Sequence, residues 1–414
     1  MGSDPFIFTP ILLLMRPLIT LFLLATALCA ESTPSPVKVI LPTDCAQAPK
    51  TYEAEGFKSD GQVRAIFYDA LPYRGKPTRV FAWIGLPAKR EGKVPGMVLV
   101  HGGGGTAYKE WVQKWNAQGF AAISIAVEGQ TDVDEKKEAK GRPIWARHGF
   151  SGPAREGIFA DTKLPLREQW MYHALADTML ANSLLRSLPE VDASKIGVMG
   201  ISWGGVITST VIGLDARFAF GIPTYGCGHL FDAENYWGRA LHDNEGYRQV
   251  WDGMNYADRV KMPVLWLSWP QDAHFPLGCQ AEHYRKAPGP RMVSLITKMG
   301  HSHPAGWNPP DSYAFAKSVV GTGKPWGGSP SARTQDGTAI AVFHSTKPIT
   351  RAVLVSTTDR GFTGTRNWVE TPAMAASGGG GTTTSAPLPP GTTAWYINAY
   401  ADQLTLTSDY QEIK

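Results

Sequence analysis

Hydrophobic positions along the chain fall into three textures. Residues 62–67 alternate, with Val63, Ala65 and Phe67 on one face, and residues 80–84 are continuously apolar and β-rich, so both runs read as strands. From Val94 onward the apolar runs become short and unbroken, at residues 97–100, 120–126, 196–201, 218–222, 263–267 and 292–296. Strands covered on both faces of a parallel sheet have this pattern. Between them, residues 168–188 place Met171, Ala174, Leu175, Ala181, Leu185 and Leu188 at helical spacing, with Thr178 as the polar member of the stripe. Strand–helix alternation of this kind predicts an α/β architecture with a mostly parallel, doubly wound sheet. Residues 128–164 interrupt the rhythm with a polar stretch lacking clear elements, the expected signature of a functional loop or lid. After about Trp326, residues 338–343, 351–356, 367–371, 394–399 and 403–406 are short β-like runs between Gly/Pro/Thr-rich turns. They predict a small β-sandwich, joined through residues 321–330 and carrying a low-complexity surface loop over residues 375–391.

Composition adds a compartment and removes some functions. The 414 residues are 43% hydrophobic, which excludes a mainly disordered chain. Forty basic against 36 acidic residues leave a net charge of +4, too diffuse for nucleic-acid recognition. Arg16 precedes the apolar run 18–28, with Ala25, Ala27 and Ala30 near its end, the plan of a secretory signal peptide. Met15 is an alternative start, and Cys29 an alternative lipid-anchor site behind the bulky Leu28. The expected division is therefore a signal segment over 1–30, a catalytic domain over 31–326 and a β-sandwich domain over 327–414, secreted or periplasmic, with no membrane association beyond the signal. Cys45, Cys227 and Cys279 are too few for a disulfide framework, and no ligand spacing suggests a metal or other cofactor. Cys227 and Cys279 are either one disulfide or two buried thiols.

The chemistry concentrates in four strings. Gly200-Ile201-Ser202-Trp203-Gly204 lies between an apolar run and a helix-forming stretch, the context in which a serine sits exposed on a sharp strand-to-helix turn. His101-Gly102-Gly103-Gly104-Gly105 directly follows another run. Its glycines let backbone N–H groups approach a carbonyl oxygen, so Gly103 and Gly104 with the N–H of Trp203 are the candidate oxyanion hole. His101 itself reads as a structural hydrogen-bonder. A serine nucleophile needs a base and an orienting carboxylate, which in α/β-hydrolases follow in the order serine, acid, histidine. Asp272, in Ser268-Trp269-Pro270-Gln271-Asp272-Ala273-His274, is the candidate acid. His301, which follows Gly300 after the last apolar run as in the usual Gly-His loop, is the candidate base, and His303 is its competitor. Trp269 and Trp307 flank those loops as candidate walls of a substrate pocket, and Trp145 and Trp237 are candidates for stacking on a sugar ring.

These strings also carry a resemblance. His101-Gly102-Gly103-Gly104-Gly105-Thr106-Ala107 with Glu110-Trp111-Val112, the stretch from Leu188-Pro189-Glu190-Val191-Asp192 to Gly205, and Thr224-Tyr225-Gly226-Cys227-Gly228 are similar to a bacterial group of α/β-hydrolases described as acetyl xylan esterase-like or dienelactone hydrolase-like. The similarity spans about residues 50–326. It implies the α/β-hydrolase fold and a secreted carbohydrate esterase using Ser202, Asp272 and His301 or His303, with no cofactor. The substrate would be a small-molecule or polysaccharide ester. Where a related deacetylase family has Arg-Gly-Gln, this chain has Glu128-Gly129-Gln130. Two other readings remain open from the sequence: a serine peptidase of prolyl-oligopeptidase type, and a non-catalytic carbohydrate-binding protein on a hydrolase scaffold.

Overall fold

A nine-stranded sheet organises the chain as far as Leu295 in a computed structural model, which describes residues 1–2, 43–137 and 143–413. The signal segment over 1–30 and Cys29 lie outside the described residues, apart from Met1 and Gly2. The sheet is built from β1 (Thr51–Glu53), β2 (Val63–Tyr73), β3 (Lys76–Gly85), β4 (Val94–Val100) and β5 (Ala121–Ile125). A separate two-stranded ribbon, β6 (Gln130–Lys137) and β7 (Pro143–Arg147), comes next in the chain. The sheet then resumes with β8 (Val191–Ile201), β9 (Phe220–Thr224), β10 (Val264–Ser268) and β11 (Arg291–Leu295). Its order is β1-β2-β3-β5-β4-β8-β9-β10-β11, antiparallel from β1 to β5 and parallel from β5 to β11. This is the α/β-hydrolase arrangement, and each unbroken apolar run read from the sequence lies in or at a strand buried on both faces.

The helices α1 (Lys109–Ala117), α2 (Trp170–Ser187) and α3 (Trp203–Val211) cover the sheet. Further along come α4 (Tyr236–Leu241), α5 (Leu277–Lys286), α6 (His303–Trp307) and α7 (Pro310–Thr322). The helix α2 buries far more than the expected stripe, down to Asp177 and Asn182. Tyr68 of β2 donates its hydroxyl to the Asp177 carbonyl at 2.9 Å, and Ser183 donates to the Cys45 carbonyl at 2.6 Å, so the N-terminal segment covers the outer side of the helix. Cys227 and Cys279 are both buried and carry no disulfide, and burial pushes both thiols upward in pKa. Among the described residues no helix is long and apolar enough to cross a membrane.

Two expectations change. The segment 128–164 is not without elements, since it contains the β6–β7 ribbon. Its polar residues alternate poorly, and the register breaks twice between Gln130 and Lys136, which hid the pairing from a periodicity reading. Likewise the low-complexity stretch 375–391 is mostly a hairpin: β16 (Val369–Gly378) pairs with β17 (Gly381–Pro387) around Gly379-Gly380. Two glycines make a tight hairpin turn, and Thr382, Thr384 and Ala386 alternate inward along β17. Small and β-branched residues fill the inward positions that larger apolar ones usually mark.

The C-terminal strands form one antiparallel sheet that curls on itself, in the order β12 (Gly327–Gly328), β14 (Thr338–Ser345), β17, β16, β15 (Arg351–Thr357), β18 (Ala394–Ala401), β19 (Leu404–Thr407). The curl occurs within β16, which pairs with β15 up to Ala373 and with β17 from Met374. Two short strands, β13 (Ala332–Gln335) and β20 (Gln411–Glu412), pair with β14 and β18. The sheet docks on β11, the edge of the hydrolase sheet. The Leu295 N–H donates to Thr407 Oγ1 at 2.9 Å and Asn398 Nδ2 donates to the Leu295 carbonyl at 2.9 Å. An otherwise open strand edge is thereby covered.

Asp311, at the start of α7, sits inside that seam. Its Oδ1 accepts from Ser294 Oγ at 3.0 Å and from the Thr405 N–H at 2.8 Å, and burial raises its pKa to about 6. A carboxyl whose folded pKa lies above its unfolded value of about 3.9 stabilises the fold below pH 4 and loses that contribution as pH rises through 6. Wild type therefore loses stability relative to Asp311→Asn between pH 4 and pH 7, by up to about 3 kcal/mol. Denaturant unfolding of both proteins at pH 4, 5.5 and 7.5 measures this; a constant difference across the three pH values contradicts it.

Candidate active site

The sharp turn between β8 and α3 is set by close backbone approaches. A Cβ on Gly200 would lie 2.0 Å from the Gly204 carbonyl oxygen, and one on Gly204 would lie 2.0 Å from the Val100 carbonyl oxygen. Only glycine fits either place. Between them Ser202 adopts φ 59° and ψ −115°, a conformation costly for a non-glycine residue, and its N–H donates to the Thr224 carbonyl at 2.9 Å. The turn lifts the hydroxyl out at the C-terminal edge of the sheet.

Two other strand ends meet it there. His301, in the loop after β11, places Nε2 3.0 Å from Ser202 Oγ and Nδ1 2.8 Å from Asp272 Oδ2. Asp272, in the loop after β10, is 1% exposed, and its second oxygen accepts the N–H groups of His274 at 2.7 Å and Phe275 at 3.0 Å. The aspartate thus takes Nδ1–H, leaving Nε2 unprotonated toward the serine hydroxyl. Tyr225 supports the imidazole from beneath, stacked at 4.3 Å between ring centroids, and donates its hydroxyl to the Gly300 carbonyl at 2.8 Å. Such a chain can draw a proton from the hydroxyl as the oxygen attacks a carbonyl carbon.

His303 lies elsewhere. It opens the short helix α6, and its ring reaches the glycine loop at Gly102. Its Nε2 accepts the Gly102 N–H at 2.9 Å, and burial lowers its pKa to about 3. His101 is equally committed: Nδ1 meets the Gly102 carbonyl at 2.7 Å, while Nε2 accepts from the Val127 N–H at 3.1 Å. Burial lowers its pKa too, so both imidazoles are neutral supports of the loop.

The glycine loop closes on itself through Gly105 N–H to the Gly102 carbonyl at 3.0 Å. Gln130 holds the Gly105 carbonyl and Trp145 the Gly104 carbonyl, each at 3.0 Å, so both carbonyls are turned to the β6–β7 side. A Cβ on Gly103 would meet the edge of the Trp203 ring at 2.8 Å, so the loop packs directly on the residue after the serine. The Gly102 N–H is engaged by His303 and the Gly105 N–H by the Gly102 carbonyl, so neither is the oxyanion-hole donor expected from Gly103, Gly104 and Trp203.

The tryptophans are arranged differently from the sequence expectation. Trp307 is only 3% exposed and packs against Tyr108 and Trp111. Trp237 is 1% exposed and lies 4.6 Å from the Trp203 ring, which rules it out as a sugar platform. Apolar burial is the commoner fate of an indole, and helix packing decided both cases. Trp269 is half-buried beside the Asp272 loop. Trp145 keeps its indole N–H on the loop carbonyl.

Sequence reasoning missed three groups. Arg155 stacks 4.5 Å over Trp203 and pairs with Glu128 at 3.2 Å, inside the segment expected to be a lid. His274, hydrogen-bonded to the Tyr236 hydroxyl at 2.6 Å, lies 4.4 Å from the His301 ring. Tyr225 had a signal, its place in the Tyr225-Gly226-Cys227-Gly228 string after β9. The other two depend on loop conformation alone.

Residues 57–250 match the family described as Acetyl xylan esterase (AXE1), a stretch that includes the glycine loop, the Ser202 turn and Tyr225 and ends before Asp272. Among solved structures, an acetyl xylan esterase from Paenibacillus sp. R4 is 23% identical, with the match covering 64% of this chain and 92% of that one at a TM-score of 0.48. Acetyl Xylan Esterase 1 from Thermoanaerobacterium sp. JW/SL YS485 is 20% identical, covering 65% and 91%, also at 0.48. The acylaminoacyl peptidase of Pyrococcus horikoshii is 20% identical, covering 60% of this chain and 39% of that one at 0.44.

Proposed function

We propose that this chain, an acetyl xylan esterase-like α/β-hydrolase and a carboxylic ester hydrolase, is a secreted carbohydrate acetyl esterase working through a Ser202–His301–Asp272 triad and an acyl-enzyme. The observation that carries the reading is the unbroken hydrogen-bonded chain from Ser202 Oγ through His301 to Asp272, at 3.0 and 2.8 Å.

Ser202 Oγ attacks the ester carbonyl carbon while His301 Nε2 takes its proton. Asp272 keeps the imidazole in the required tautomer and stabilises its charged form. The carbonyl oxygen becomes an oxyanion facing the N–H groups of Trp203 and of the Gly103–Gly104 turn, each such donor contributing typically about 2.7–4 kcal/mol. As the tetrahedral intermediate collapses, the sugar oxygen leaves with the proton from Nε2. Water then enters, gives a proton to Nε2 and attacks the acyl carbon, and the second collapse frees acetate and restores the serine hydroxyl. His303 takes no proton in this scheme; it fixes the Gly102 end of the oxyanion loop. Signal-directed secretion would bring the enzyme to polymeric substrate.

The test is acetate release from acetylated xylan, acetylated pectin and acetylated monosaccharides, with peptide esters in parallel. Release from at least one acetylated carbohydrate, with peptide esters cut far more slowly, is the expected result. Hydrolysis confined to peptide esters would replace this reading with the peptidase one.

A further inference from the structure

The proposed triad depends on where the Asp272 turn is held, and one side of that turn is not made by the hydrolase sheet. Residues 358–368 connect β15 to β16 in the C-terminal sheet, and their middle lies on the turn. A Cβ on Gly364 would sit 2.4 Å from the Asp272 carbonyl oxygen, so the two backbones are in direct contact. One residue earlier, Thr363 Oγ1 accepts the Leu277 N–H at 3.0 Å in a buried bond. Asn235 Nδ2 also donates to the carbonyls of Ala273 at 3.2 Å and His274 at 2.8 Å. The turn carrying the carboxylate is therefore held both by Asn235 and by a loop much further along the chain.

That loop is also stitched into shape. Arg366 donates from Nε to the Gly361 carbonyl at 2.8 Å and from Nη2 to Glu412 at 2.6 Å, tying both ends of the turn to the last strand. Its outer face lines a cavity of about 650 Å³ shared with α5. A loop backed by open space is not pressed inward from that side, so its position over Asp272 rests on the Thr363, Gly364 and Arg366 contacts and on Trp368, whose indole N–H donates to the Thr363 carbonyl at 3.2 Å.

We propose that residues 361–366 of the C-terminal sheet are positioning residues of the reaction centre, holding the Asp272 turn so that its carboxylate meets His301. The sheet then has a part in the chemistry and is more than a brace for the β11 edge. A misplacement of about 1 Å in such a constellation costs on the order of a hundredfold in rate, so small shifts of this turn register in turnover. The proposal rests on the triad reading above.

The experiment uses the full chain with Thr363→Val, which removes the acceptor at nearly constant shape, and Gly364→Ala, which forces the turn to move. Met374→Ala, 76% exposed on the same sheet, is the control. Expected for Gly364→Ala is a kcat for p-nitrophenyl acetate lower by about tenfold or more, and for Thr363→Val by about threefold, with KM within about twofold. End-point titration with an organophosphonate still labels every site, and the downfield proton resonance of His301 Nδ1–H moves or broadens. Wild-type kcat and an unmoved resonance in both variants overturn the proposal. So does activity lost only in proportion to the labelled fraction, which marks a folding defect. Ser202→Ala is measured alongside: if it stays active the triad reading falls and takes this proposal with it, whereas an inactive Ser202→Ala beside fully active loop variants removes this proposal alone.

Discussion

Ser202→Ala lowers kcat for p-nitrophenyl acetate by roughly 10⁵-fold or more, while circular dichroism and thermal unfolding stay close to wild type. The size follows from what is removed. In the proposed mechanism Ser202 Oγ bonds to the acyl carbon, and His301 Nε2 faces it at 3.0 Å. Without it the glycine-loop donors remain and can still polarise a bound ester, which leaves a residual acceleration of about 10³–10⁴ over water. The fold survives because alanine occupies the same backbone position, its N–H still reaches the Thr224 carbonyl, and the glycines that permit the turn are untouched. A variant within about tenfold of wild type would sink the serine mechanism.

The second large effect separates two histidines that share one loop. His301→Ala reduces kcat by about 10⁴-fold or more, since it removes the proposed base and leaves Asp272 buried without the imidazole now 2.8 Å from its carboxylate. His303→Gln costs less than about tenfold, because a glutamine oxygen can accept the Gly102 N–H that Nε2 now accepts. His303→Ala falls between them, at roughly a hundredfold, since an unpaired Gly102 N–H loosens the oxyanion loop. The three variants are compared by kcat and KM on one neutral acetyl ester. Equal losses at positions 301 and 303, or a larger loss at 303, would reverse the assignment.

Much of this arrangement was legible from residue order. The unbroken apolar runs located the parallel strands, and Gly200-Ile201-Ser202-Trp203-Gly204 and the His101 loop located two of the strand ends that meet at the site. Strand alternation is a local property, and a glycine that must admit a carbonyl oxygen at 2.0 Å leaves its mark at one position. The β6–β7 ribbon and the β16–β17 hairpin were not legible, because their pairing is carried by polar and small residues whose periodicity is weak.

What the amino-acid order by itself determined is the fold class, the serine turn, the glycine loop and the candidate acid, since each depends on contacts within a strand, a turn or a known chain order. What only the tertiary structure decided is where the competing His303 goes, which tryptophans are buried, and what holds the Asp272 turn. His301 and His303 share one loop, and a single helical start at Ser302 sends the second ring to Gly102 instead. Thr363 and Gly364 meet Leu277 and Asp272 across long chain separations, through packing of one sheet against another. Distances of that kind arise from where whole elements dock, and no spacing along the chain encodes them.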